Sequence, residues 1–309
     1  MYPDAHLKQA QDQVYRVLAG ETPAPVVKCF FDEPTFTATY VVHDPFTRIA
    51  AVVDSVLDFD QASGRTTTAS ADAIIGYVLE EVLKVDWLLE THAHADHMSA
   101  APYLQERVGG RIAIGREILT VQETFGAIFH EGPEFARDGS QFDRLLIDGD
   151  IVSLGGIPAI ALHVPGHTPA DMAYVVGDAA FVGDTMFMPD YGTARADFPG
   201  GDAGELYRSI RRLMKLPDQT RVFLCHDYKA PDRDTYTWET TIGAERTANI
   251  HIRDGVSEDE FVAMRNTRDS TLGMPRLILP SLQVNMRGGR LPKPESNGTC
   301  YLKLPLNLF

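Results

Sequence analysis

The chain is short of positive charge, short of cysteine and free of long apolar runs, and each shortage narrows what it can be. Lys and Arg total 28 against 43 Asp and Glu, giving a net charge of −15 at neutral pH and a pI near 5.0. A surface of that sign repels phosphate backbones and anionic lipid, so neither nucleic acid nor membrane is expected as a partner. The three cysteines, Cys29, Cys225 and Cys300, are odd in number and far apart, which argues against a disulfide framework and for a reduced, cytoplasmic setting. No stretch approaches a membrane span. The N-terminus has no basic head followed by an apolar segment, so neither a secretory signal nor a transit peptide is expected. Internal repeats, low-complexity tracts and clear linkers are also missing. The 309 residues suffice for one large domain with a real core.

Metal-binding side chains, by contrast, are concentrated. Thr91-His92-Ala93-His94-Ala95-Asp96-His97 holds three of the ten histidines and a carboxylate. The apolar run Val85-Asp86-Trp87-Leu88-Leu89 before it reads as a buried strand, and alternation at a strand end aims His92 and His94 the same way. The chain then turns at Ala95-Asp96 into a helix-like segment, presenting Asp96 and His97 from a second direction. Imidazole and carboxylate donors converging on one or two points suit Zn or non-haem Fe. Three later segments repeat one pattern, a buried strand with a single donor at its tip: Val164-Pro165-Gly166-His167, Phe181-Val182-Gly183-Asp184, and Val222-Phe223-Leu224-Cys225-His226-Asp227-Tyr228. Rigid strand ends are good supports for a site with narrow distance limits. Alternation turns Cys225 away from the metal side, as a small buried hydrophobe. His163 reads as a packed neighbour of the site. His6, His43, His130 and His251 have no partner motif and read as ordinary surface or core residues.

The pattern along the chain predicts helices over 5–19, 69–84, 98–108, 116–127, 203–215 and 258–265. Strands are expected at 26–31, 36–43, 48–54, 111–114, 157–164, 172–176, 179–183 and 221–224. Asp148-Gly149-Asp150 between 145–147 and 151–154 looks like a hairpin turn, and 128–143 like a loop. Two stretches of sheet, each with added helices, predict an α/β four-layer sandwich with one catalytic edge. Residues 227–309 read as a C-terminal elaboration of a single domain spanning 1–309.

At this point the chain resembles the metallo-β-lactamase-fold superfamily, whose signature is His-x-His-x-Asp-His followed in order by Gly-His, Gly-Asp and a late His. The resemblance covers roughly residues 26–230 and implies an αβ/βα sandwich with the metal site between sheet edges. Carried over, it gives His92, His94 and His167 to a first metal position. Asp96, His97 and His226 go to a second, with Asp184 shared.

Within the superfamily, a true β-lactamase does not fit a reduced chain without a signal, and the basic surface of nuclease branches is missing. Two thiol-directed branches remain. Tyr191-Gly192-Thr193-Ala194-Arg195-Ala196-Asp197-Phe198 looks like the Gly-Arg-Thr-Asp-Phe segment of persulfide dioxygenases, and the tail from Met274-Pro275 to Val284-Asn285-Met286-Arg287 is also similar. Ala194 and Ala196 depart from that segment, so the pocket lip differs in shape. This resemblance implies a glutathione-dependent persulfide dioxygenase that oxidises glutathione persulfide, or a related small persulfide, with O₂ to sulfite. One Fe(II) per chain would be held by His92, His167 and Asp184, leaving open positions. His94, Asp96, His97 and His226 would orient ligands and water. Arg195 would pair with a glutathione carboxylate and Tyr228 would donate a hydrogen bond. The alternative is a dinuclear Zn or Fe glyoxalase II-like thioester hydrolase, with one or two Zn(II) and all seven ligands in use. A non-catalytic thiol sensor is disfavoured because no ligand has been lost. Apolar area on the N-terminal helix and the tail Leu302 to Phe309 could serve a homodimer.

Overall fold

The structure, a computed structural model, describes residues 4–308; Phe309, the end of the apolar tail, lies outside the described residues. The first half runs α1 (Ala5–Leu18), β1 (Val26–Asp32), β2 (Thr37–His43), β3 (Ile49–Val53), β4 (Val56–Asp60), β5 (Arg65–Thr67), α2 (Ala69–Glu80), β6 (Lys84–Leu89), β7 (Met98–Ser99), α3 (Ala101–Val108), β8 (Arg111–Gly115), α4 (Ile118–Ile128) and β9 (Arg144–Leu146). The second runs β10 (Ile151–Leu154), β11 (Ile157–His163), β12 (Met172–Val176), β13 (Ala179–Phe181), α5 (Ala203–Leu213), β14 (Arg221–Phe223), β15 (Glu239–Thr241), α6 (Ile242–Ala248), α7 (Glu258–Asp269) and α8 (Ile278–Asn285).

One six-stranded sheet has the order β1-β2-β3-β6-β8-β9, and a second the order β10-β11-β12-β13-β14-β15. The first is antiparallel through β3 and parallel beyond it. In the second only the β13–β14 pair is parallel. Strand alternation sorts the side chains between two faces. Tyr40, Val42, Ala51, Val53, Trp87 and Leu89 face the other sheet, where they meet Ala159, Ala161, Tyr174 and Phe181. Alanines on this inner layer leave room for the rings, and Phe181 stacks on Phe223 with centroids 5.1 Å apart. The outward set Val41, Val52, Leu88 and Ile112 packs with Ile74, Leu104, Ile118 and Leu282 of α2, α3, α4 and α8. Ile160, Leu162, Val175 and Val222 do the same with Leu7, Ile210 and Phe261 of α1, α5 and α7. The layers are therefore αβ/βα, as expected. No described helix is long and apolar enough to cross a membrane.

Some local readings change. The expected hairpin is a crossover, since β9 lies in the first sheet and β10 in the second. Asp148 explains it. Its carboxylate accepts from the Arg212 guanidinium at 2.7 and 2.9 Å and from His163 N–H at 2.8 Å, so the turn is drawn towards α5. The helix expected at 98–108 begins only at Ala101, because Met98–Ser99 pairs with Val56 and Leu57 of β4. The segment after residue 227 supplies β15 as an edge strand, α6, α7, and α8 against the first sheet's helices.

Helix α6 is capped by Thr241, whose hydroxyl accepts from Ala244 N–H, and it buries Glu245 completely. Glu245 accepts from Asn249 Nδ2 at 2.6 Å and forms no ion pair among the described residues. Burial pushes its carboxyl from an ordinary 4.5 up to about 8. The unfolded chain thus releases this proton near pH 4.5 while the folded chain keeps it to about pH 8. Across that window stability falls as pH rises, by at most about 1.4 kcal/mol for each pH unit. Urea unfolding at pH 5 and pH 8 checks this: Glu245→Gln should lose less stability over the interval than the natural protein, and equal losses would contradict it.

Candidate metal centre

Two glycines place two of the donors. Gly166 has φ +142°, and a Cβ there would lie 2.2 Å from the Leu206 backbone nitrogen of α5. Gly183 has φ +53°, and its Cβ would lie 2.6 Å from Thr91 Oγ1. Only a residue without a side chain permits both the backbone angle and the close approach, so His167 and Asp184 reach the histidine loop from the second sheet. His226 arrives just beyond β14, tied by a bridge to Thr37 at the start of β2.

All seven expected ligands converge. His92, His167 and Asp184 form one group whose ligand atoms lie within 4.8 Å of one another; His94, Asp96, His97 and His226 form a second. Within the first, Asp184 Oδ2 is 3.9 Å from His92 Nε2 and 3.6 Å from His167 Nε2. The other oxygen, Oδ1, is 3.3 Å from His226 Nε2, which is also 3.3 Å from Asp96 Oδ2. Two donors bound tetrahedrally to one ion at about 2.0–2.2 Å lie about 3.3–3.6 Å apart. His92 Nε2, His94 Nδ1, His97 Nε2, His226 Nε2 and Asp184 Oδ1 are buried and make no hydrogen bond. Such atoms are expensive to bury unpaired, and cations held at the two groups would satisfy them. The donor set fits Zn or Fe.

Each ring's far nitrogen is committed to the protein, which fixes the tautomer. His167 Nδ1–H donates to the Arg195 carbonyl at 2.8 Å, and His226 Nδ1–H to the Phe36 carbonyl at 3.1 Å. His92 Nδ1–H donates to Thr91 Oγ1 at 3.0 Å, and that hydroxyl donates to Asp54 Oδ2 at 2.8 Å. His94 is reversed: Nε2–H donates to Asp54 Oδ1 at 3.0 Å, leaving Nδ1 free. Asp54 also accepts from Thr91 N–H at 2.7 Å. Glu90, itself accepting from Ser99 Oγ at 2.5 Å, places its other oxygen 3.4 Å from His94 Nε2. Burial works against a charge on His94, but Asp54 outweighs it and holds the ring well above the usual histidine range. Burial, reinforced by His94, pushes His92 well below it. Asp96 resists burial through His226 and His97, which hold it well below the usual carboxylate range.

Asp54 and Glu90 were not singled out in the sequence. Asp54 follows Ala50-Ala51-Val52-Val53 at the end of β3, the same strand-then-donor signal that marked Asp184. One reading is corrected. Cys225 was expected to turn away, yet it shares a ligand cluster with Asp184 and His226. Strand β14 ends at Phe223, so alternation does not govern Cys225. His163, as expected, is no ligand; its ring bonds to the Pro169 carbonyl at 2.9 Å.

A cavity of about 340 Å³ opens over the donors, lined among others by Asp96, His167, Asp184, Arg195 and Tyr228. Tyr228 stacks on His226 with centroids 5.6 Å apart, and its hydroxyl makes no hydrogen bond with the described residues. The Arg195 fork is already engaged, by Asp197 at 2.6 and 2.7 Å and by the Gly273 carbonyl at 2.7 Å. The lip around it hangs on the C-terminal helices. Asn249 donates to Gly192 O, Arg265 to Thr193 O, and Asp269 accepts from Ala196 N–H, each at 3.0 Å. His251, read as ordinary, accepts from Thr193 N–H at 3.0 Å. Burial, then Arg265, pushes its ring down to about 4, consistent with a neutral acceptor. Arg268 and Arg276 also line the cavity, exposed and without an ion-pair partner among the described residues.

Comparison with known proteins bears on this geometry. The family profile described as Metallo-beta-lactamase superfamily matches residues 33–226. A probable metallo-hydrolase of Burkholderia pseudomallei is 58% identical over 91% of this chain and 99% of its own length. A glyoxylase B2 of Dictyostelium discoideum is 45% identical over 91% of this chain and 97% of its own. The beta-lactamase hydrolase-like protein of Xylella fastidiosa is 51% identical over 92% of this chain, but the match spans only 65% of that longer protein. The human mitochondrial persulfide dioxygenase ETHE1 is more distant, 28% identical over 93% of this chain and 97% of its own. Among solved structures, ETHE1 from Myxococcus xanthus superposes with a TM-score of 0.67 at 29% identity, covering 86% of this chain and all of that one.

Asp54 sits at φ +53°, a conformation that asparagine tolerates. Asp54→Asn should therefore keep the backbone while putting an amide where three donors need a carboxylate. Metal affinity, measured by competition with a chelator, should fall about 10–100-fold with the far-UV circular dichroism unchanged. Natural affinity in that variant would remove Asp54 from the centre.

Proposed function

The chain belongs to the metallo-beta-lactamase superfamily, and from that premise we propose that it is a metal-dependent hydrolase of a small thioester or related ester that carries carboxylates. The observation that carries this reading is the split use of Asp184, with Oδ2 towards His92 and His167 and Oδ1 towards His226. A carboxylate so divided is suited to two ions. His92 and His167 would hold one, and Asp96, His97 and His226 the other, with His94 Nδ1 free beside the second group. Ions held there supply Lewis acidity and lower the pKa of water near a scissile carbonyl. The similarity to a metallo-hydrolase and a glyoxylase B2 supports the same reading.

The chain's own residues do the rest. Tyr228 offers a free hydroxyl beside His226, placed to donate to a substrate oxygen. Phe36, Phe187 and Phe198 form apolar cavity wall and exclude water from the reacting group. Arg268 and Arg276, uncompensated in an acidic protein, are suited to carboxylates of a glutathione-like thiol carrier. Arg195 would join them only by releasing Asp197.

A second reading is favoured by a specific observation. His92, His167 and Asp184 alone make a compact face of two histidines and a carboxylate, which suits one Fe(II). With the Tyr191–Phe198 segment and the distant likeness to a persulfide dioxygenase, it supports oxidation of glutathione persulfide with O₂. Protein purified without oxygen separates the two. We expect two metal ions per chain, thioester hydrolysis, and no O₂ uptake with glutathione persulfide. One iron per chain with stoichiometric O₂ consumption would replace the hydrolase with the dioxygenase. For either, the Arg268→Ala/Arg276→Ala double variant should raise KM about 10–100-fold while kcat changes little; an unchanged KM would take the two arginines out of substrate binding.

A further inference from the structure

Residues 90–97 carry most of the donors yet belong to no strand or helix; Glu90 N–H still reaches the Ala113 carbonyl and the Thr91 carbonyl the Met172 N–H, each at 2.9 Å, but the backbone beyond them needs other partners. The amide of Asn285 fills that role from 188 residues away in sequence. Its Nδ2 donates to the His94 carbonyl at 2.8 Å and to the His97 carbonyl at 2.7 Å. Its Oδ1 accepts from Ser99 N–H at 2.8 Å, where the loop leaves the site. Both hydrogens and the oxygen of one side chain are thus spent on one loop. Asn285 is the last residue of α8 and is only 4% exposed. The helix cannot drift, because Ile278, Leu282 and Met286 pack in the same core as Ala93, Ala95 and Ala101. Gln122 also donates to the Met286 carbonyl at 2.9 Å.

We propose that Asn285 is a positioning residue that sets the spacing of His94 and His97, so that the C-terminal segment completes the metal centre. The chemistry demands an amide of this length. Aspartate would face two carbonyls with acceptors only, leucine would leave three buried backbone groups unpaired, and glutamine is one methylene too long. With the amide in place, His94 is fixed at its backbone by Asn285 and at its ring by Asp54, so Nδ1 has one direction left to point.

The proposal rests on metal binding at this loop and on neither choice of reaction, so the test uses Co(II) alone as probe. Asn285→Asp and Asn285→Ser should bind Co(II) about 10–100-fold more weakly than the natural protein in chelator competition. Their d–d absorption should also shift, because the donor geometry changes; the serine variant serves if the aspartate variant does not fold. Gln283→Ala is the control on the same helix. Gln283 is buried and pairs with the backbone of Leu279 and Lys303, away from the metal loop. It should lower the melting temperature while leaving Co(II) affinity and spectrum as they are. Natural Co(II) affinity and spectrum in both Asn285 variants would overturn the proposal, as would an equal loss of affinity in Gln283→Ala. Natural protein that takes up no Co(II) would overturn the metal centre itself.

Discussion

The centre depends on keeping nitrogen lone pairs unpaired inside a folded protein. A buried imidazole ordinarily satisfies both nitrogens, and leaving one free costs folding energy. Here each ring commits one nitrogen to a fixed partner and holds the other open. Asp54 is the hub of this arrangement. It receives His94 directly, His92 through Thr91 Oγ1, and the Thr91 backbone. Buried among donors, it keeps its charge because His94 outweighs the burial that would otherwise protonate it. The ring nitrogens without partners therefore face into one site, where bound cations would satisfy them.

The fold exists, from this point of view, to bring rigid ends together. Asp54 follows β3 and the histidine loop follows β6 in the first sheet; His167, Asp184 and His226 follow β11, β13 and β14 in the second. The central strands of both sheets are buried on both faces, so these ends cannot slip without moving a packed core. Tyr174 reaches from the second sheet to the Glu90 carbonyl at 2.8 Å, and Tyr40 from the first to the Leu224 carbonyl at 2.5 Å. Each buried hydroxyl joins one sheet to the other's ligand loop. The C-terminal segment then holds what the sheets leave open: α8 the metal loop, α6 and α7 the cavity lip.

The seven candidate donors were legible because their spacing is short-range or repeats one local signature, a buried strand with a single donor at its tip, preceded by glycine at His167 and Asp184. The glycines carry their own reason, since Gly166 and Gly183 touch neighbours that no Cβ could. Where sequence reasoning failed, it carried a local rule past its range. Alternation was extended to Cys225, but β14 stops at Phe223. A hairpin was read at Asp148-Gly149-Asp150, where Arg212 from α5 decides the course of the chain. Asn285 gave no local signal at all; a buried asparagine on an apolar helix acquires meaning only when the loop it serves is seen against it.

On the proposed reading, substrate recognition uses charge that the protein does not cancel itself. In a chain of net charge −15, four arginines line one cavity. Two of them are neutralised internally, Arg195 by Asp197 and Arg265 by Asp269, and these hold the lip in shape. Arg268 and Arg276 have no such partner among the described residues. In a protein of net negative charge, such a local excess of cations is suited to a ligand with carboxylates at one end. His167, Asp96 and Asp184 line the same cavity. On the reading proposed above, the recess would orient the substrate before any chemistry begins, for a thioester as for a persulfide. What would separate those two outcomes is the number of ions that Asp184 serves, so the two proposed readings divide at the second oxygen of one carboxylate.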